Sequence, residues 1–210
     1  AKQCARTPTW ATPNSTAAGA AGHDRQGGQL LEAAIAAGRA LLCYSFSPVQ
    51  TVDARKPTRA TITGTEIRPA SLSYQLTAGG KRTQVIRVAG ATYFRVLPSK
   101  WSKAKKPLAG VDPGASLLRL LGSVTQPAVD PSDAAGLTVR GTIAAASVVK
   151  AGLPAGSKDP QVTLTLDRLN NVVVVNVTTT VNRAGVKPIQ VVLRTTYGKL
   201  NAVATIKAPL

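Results

Sequence analysis

From Tyr44 onward the chain is written in short runs where β-branched and aromatic residues alternate with polar ones, and most runs end in a hairpin-turn signal. "RATITGTEI" lies within Thr58–Ile67 and "ASLSYQLT" fills Ala70–Thr77. Ala78-Gly79-Gly80-Lys81 turns the chain back into Thr83–Val88, and Ala89-Gly90 turns it again into Thr92–Leu97. Further runs stand at Val124–Val129, Leu137–Ile143, Gln161–Asp167, Val172–Val181, Ile189–Tyr197 and Ala202–Lys207, with "RLNN" and "NRAGVKP" joining the long ones as hairpins. Consecutive hairpins force neighbouring strands to run antiparallel. A doubly wound parallel sheet needs a helix after each strand, so this pattern excludes it.

Helical spacing occurs in three places. Leu30, Leu31, Ala34, Ile35, Gly38, Leu41 and Leu42 form an amphipathic stripe over Gln29–Leu42, and Pro48 bars any helix beyond it. Asp112-Pro113 reads as an N-cap followed by proline at the first helical position. That helix carries Leu117, Leu118, Leu120 and Leu121, and Gly122 stops it. Ala144–Ala151 reads as a third short helix, ended by "GLPAGS". About ten strands, with helices before and between them, specify an α+β fold. Strand twist accumulates across so wide a sheet, so it cannot stay flat. The expected architecture is a strongly curved antiparallel sheet, a half-barrel, with about three short helices over its concave face.

The chain has 210 residues, 44% of them hydrophobic, which suits one domain with a real core. Residues 1–28 are rich in Ala, Pro, Thr, Gly and Ser and read as an irregular lead-in; residues 29–210 read as a single domain. Apolar runs such as Val172–Val175 are far too short to span a membrane. The absence of methionine is expected of a processed chain. Two cysteines, Cys4 and Cys43, permit one disulfide, which would tie the lead-in to the domain and imply an oxidising compartment; two separate free thiols is the other reading.

Net charge is +17, and the acids are unevenly spread: none lies between Glu66 and Asp112, and none follows Asp167. Such a field attracts polyanions and negatively charged surfaces. Its focus is Trp101, set among Lys100, Lys103, Lys105 and Lys106, a candidate patch for anionic headgroups or polymers. Trp101 reads either as an aromatic cap over the open end of the core or as a residue at a pocket mouth. Nucleic acid is disfavoured, because single-strand binders interleave several exposed aromatics with their basic residues. Catalysis finds no support: the nine acids are scattered, the one histidine, His23, lies in the lead-in, and no nucleophile elbow or glycine-rich phosphate loop is present. No enzyme activity, cofactor or metal site is expected.

The order of several segments resembles a known family. "QLLEAAIAAGRALLCYSF" precedes the strands, followed by "VAGATYFRVLPSKW", "VDPGASLLRLLGSV", "AAGLTVRGTIAAASV" and a terminal "TTYGKLNAVATIKAP". Together these resemble the actinobacterial LppX/LprG-type envelope proteins, a branch of the LolA-like lipid and lipoprotein carriers. The resemblance covers Gln29 to Pro209 and rests on order and spacing. It implies a curved half-barrel closed by helices, non-enzymatic, with acyl chains of envelope lipids held in between. The helix faces then supply the candidate lining: Leu31 and Ile35 from the first, Leu117, Leu118 and Leu121 from the second, Val148 and Val149 from the third. Cys4 follows "AKQ", which lacks the pattern of a lipid-attachment site, so a secreted or envelope protein without a lipid anchor is expected, acting as a monomer. The alternative function is a basic surface protein that binds anionic polymers such as glycosaminoglycans.

Overall fold

A computed structural model describes residues 20–53, 57–69, 71–105, 112–130, 132–133, 137–183, 185–202 and 205–209. Helix α1 spans Ala20–Ala40. It leads into β1 (Cys43–Asp53), β2 (Thr58–Ile67), β3 (Ser71–Ala78), β4 (Lys81–Val88), β5 (Ala91–Val96) and the short β6 (Ser102–Lys103). Helix α2 (Pro113–Leu121) follows, then β7 (Val124–Val129), β8 (Thr138–Ile143), β9 (Ser157–Leu166), β10 (Val172–Arg183) and β11 (Val186–Gly198).

All eleven strands form one antiparallel sheet in the order β6-β5-β4-β3-β2-β1-β11-β10-β9-β8-β7. The chain walks outward from the centre to one edge, crosses through α2 to the opposite edge, and walks back until β11 pairs with β1. Pro48 sits within β1 opposite Thr195 of β11. Pairing with β2 lapses between Phe46–Gly64 and Val49–Thr61, so the missing proline N–H falls on that side.

The core explains the curvature. Leu30, Leu31 and Ala34 of α1 and Leu117, Leu120 and Leu121 of α2 share one buried cluster with inward side chains of β7 to β10. Leu193 and Tyr197 of β11 pack against the same cluster. Side chains from five neighbouring strands meet in this one cluster under the helices, as a sheet coiled by its strand twist allows. A second cluster, Leu41, Tyr44, Phe46 and Leu72, continues the same face onto β1 and β3.

Four expectations are corrected. Helix α1 begins at Ala20, so residues 20–28 are helical where an irregular lead-in was expected. At Gly27 a Cβ would lie 2.5 Å from the backbone of Pro127 and Ala128, so only glycine lets this part of α1 press onto β7. The third helix is a single 3-10 turn, Ala145–Ser147, with no side-chain cap, and the β-branched Val148 and Val149 do not extend it. The expected last strand, Ala202–Lys207, is irregular over its described residues. Lys199 and Asn201 take positive φ of 48° and 55°, turning the chain out of the ladder, and the Asn201 amide donates to the Cys43 carbonyl at 2.7 Å. Finally, Cys43 is a free, fully buried thiol packed as a small apolar side chain, with no disulfide to it, and Cys4 lies outside the described residues.

Candidate functional site

The candidate lining residues fall into three environments. Leu31, Leu117, Leu121 and Val148 are buried within the main core cluster, and Ile35 packs against it. They fill the space between the helices and β7–β10. Leu118 is half-buried where α2 meets α1, close to Gly38. Val149 is 71% exposed.

The two helices are fastened to the sheet by a polar clasp that sequence reading missed. Glu66 and Arg68 stand two apart at the end of β2 and its turn. The Glu66 carboxylate is buried; it accepts the Tyr44 hydroxyl proton and, at 3.2 Å, the Gly114 N–H in the first turn of α2. Asp112 caps the same end by accepting the Ala115 N–H at 2.9 Å. Arg68 donates to the Gly38 carbonyl at 2.8 Å and to that of Leu41 at 3.4 Å, where α1 ends. Its guanidinium is 3.8 Å from Glu66 and lies over the Tyr44 ring. Each charge therefore sits at the helix end of opposite partial charge. A Cβ at Gly114 would overlap the Arg68 guanidinium, so a larger residue there would push that side chain out of the clasp. Burial raises the Tyr44 phenol well above its usual range, and the bond to Glu66 adds to this. Burial also raises Tyr197, with the Glu66 charge acting in the same sense. Both phenols stay protonated, and Tyr44 remains a donor to Glu66.

Beyond the clasp, the helix-side face continues over β2 to β5. Registers place Ile62 beside Leu76, Tyr74 beside Val85, and Val85 beside Phe94. Ile62 and Tyr74 pack against the second core cluster. Leu76 and Phe94 are half-buried and Val96 is 42% exposed, and none of these three belongs to either cluster. The described helices make their main contacts with β7, β8 and each other. The apolar face therefore runs on past the ground the described helices cover.

Trp101 belongs to the opposite face. It is half-buried, with the Arg95 guanidinium stacked 4.7 Å from its ring centre. It lines a cleft with Thr63, Thr65 and Ser73, which alternate with the inward Glu66 and Leu72. It neither caps the core nor stands at the helix-side mouth. Lys100, Lys103 and Lys105 are exposed, and Lys106 lies outside the described residues.

The fold recurs in solved structures. LprF from Mycobacterium bovis superposes with a TM-score of 0.58 at 18% identity, covering 88% of this chain and 97% of that one. The Mycobacterium tuberculosis lipoprotein LppX gives 0.53 at 16% identity, covering 86% of this chain and 99% of that one. The chain has an LppX/LprG-type fold. No family model and no curated protein matches it. Within this LppX-type fold, the half built from β7–β11 carries the main cluster of buried side chains, and the half built from β2–β5 carries the unclustered apolar face. That face is written in the sequence as alternation, at Ile62, Tyr74, Leu76, Phe94 and Val96.

Proposed function

We propose that the chain is a non-enzymatic, extracytoplasmic carrier that holds the acyl part of a lipid, or another long apolar molecule with an anionic head, against the helix-side face of β2–β5. The supporting observation is the run of apolar side chains there, half-buried Leu76 and Phe94 and exposed Val96, continuous with a packed core but outside it. Arg87 stands on the same face, opposite Leu72 in register, and supplies positive charge for the head. The LppX-type fold and the implied acyl-carrying role of that family favour the same reading. Burying chain against this face contributes about 0.8 kcal/mol per methylene, so affinity grows with chain length.

The test uses a fluorescent long-chain acyl probe. Leu76→Asp combined with Phe94→Asp is expected to weaken uptake at least tenfold, about 1.4 kcal/mol or more. Because both side chains are half-exposed, the thermal midpoint should change by only a few degrees. Unaltered uptake by the folded double variant would sink the assignment of this face.

A further inference from the structure

We propose that the outer face of β2–β4 carries a second binding site, for an acidic oligosaccharide. Two clefts of about 240 Å³ and 480 Å³ adjoin there, sharing Thr65, Ser73 and Ile86. Each is close to or within the roughly 300–1,000 Å³ usual for small-ligand sites. The site lies on the opposite side of the sheet from the helices and is independent of the acyl-carrier reading.

Its chemistry is that of sugar recognition. The floor offers hydroxyls from Thr63, Thr65 and Ser73. The wall offers two side-chain amides held in fixed orientation: Arg95 Nε donates to Gln84 Oε1 at 2.7 Å, and Gln84 Nε2 donates to Gln75 Oε1 at 3.0 Å. This relay occupies both amide oxygens as acceptors and leaves N–H groups of Gln75 and Gln84 to donate to a ligand. Trp101, backed by Arg95, adds an aromatic platform at one end, suited to the apolar face of a pyranose ring. At the other end the C-terminal segment, irregular where a strand was expected, brings Lys199 and Lys207 over the same floor. Among the described residues, no carboxylate lines either cleft. A ligand here meets hydroxyls, amide donors, one aromatic plane and two lysines, which fits a short saccharide bearing carboxylate or sulfate groups. The apolar contribution, from Ile86, Ile206, Ala202 and Trp101, is matched by hydroxyl, amide and lysine groups, which suits a saccharide better than an acyl chain. A nucleic-acid strand would need several stacking platforms.

The test is calorimetric titration of the full chain with a uronate-containing tetrasaccharide, a neutral tetrasaccharide of equal length, and inorganic polyphosphate. The uronate saccharide should bind in preference to both others. Trp101→Ala should weaken it about tenfold, about 1.4 kcal/mol. Lys199→Ala with Lys207→Ala, both at exposed positions, should weaken it similarly and flatten its salt dependence. Absence of saccharide binding, polyphosphate binding as tight as the uronate, or equal affinity in the lysine double variant would each overturn the proposal. So would wild-type affinity in a folded Trp101→Ala protein, because charge alone would then explain the attraction.

Discussion

Replacing Leu121 with alanine is expected to destabilise the protein by about 3–4 kcal/mol, near the middle of the range for leucine-to-alanine changes in rigid cores. Leu121 is fully buried in the main cluster, with α1 on one side and the sheet beyond. The cavity left behind is walled by two helices and several strands, so it cannot collapse cheaply. At roughly 2–4 °C per kcal/mol for a domain of this size, the thermal midpoint should fall by about 6–16 °C. Denaturant and thermal unfolding both check this. The same variant is informative about function, since Leu121 was a candidate for lining the ligand. If the β7–β11 half is solid core, the folded fraction of Leu121→Ala binds the acyl probe like the original. A loss below about 1 kcal/mol, together with weakened binding, would mean that the helices enclose a ligand space there after all.

Changing Arg68 to methionine is expected to cost about 3 kcal/mol. The substitution strips a buried carboxylate of its neighbouring cation and leaves two carbonyls at the end of α1 without a donor. Breaking a buried pair from one side typically costs 3–5 kcal/mol; the Arg68 side chain is 19% exposed, which favours the lower end. Glu66→Gln removes the other charge while keeping an acceptor for Tyr44 and Gly114. The double variant Arg68→Met, Glu66→Gln should therefore lose less than the sum of the two single changes, with a coupling of at least about 1 kcal/mol. Strict additivity in denaturant unfolding would show that the two side chains stabilise the helix ends separately and that the clasp is not a unit.

Local signals were read correctly where the physics is local. The glycine turns at Gly79-Gly80 and Ala89-Gly90 joined the expected strands, with positive φ at both Gly79 and Gly80. Asp112 and Pro113 started α2 where a cap and an N1 proline should. The failures share a cause in longer-range structure. Gly27-Gly28 looked like a helix boundary, but Gly27 serves a backbone contact with β7, one hundred residues away in sequence. The last segment alternates like a strand, yet the turn after Gly198 carries it onto the outer face, where it walls a cleft. The pairing of β1 with β11, which makes the sheet continuous, has no local signature.

The same limit governed the site. An apolar helical stripe looks identical whether it fills a core or lines a cavity, so Leu31, Leu117 and Leu121 were legible as inward-facing and buried, and no further. Glu66 and Arg68 were two ordinary charges near a strand end until the fold brought two helix termini to them. Trp101 stood out in the sequence for its place among lysines. Which face of the sheet it covers depended on β6, a two-residue strand with no sequence pattern of its own.

The measurement closest to the central claim is native mass spectrometry of the gently purified chain, followed by solvent extraction of whatever remains bound. The account predicts a discrete mass above that of the polypeptide, released by organic solvent and recovered as an acyl-bearing lipid. A bare polypeptide mass that stays unchanged after incubation with cell-envelope lipids would contradict it.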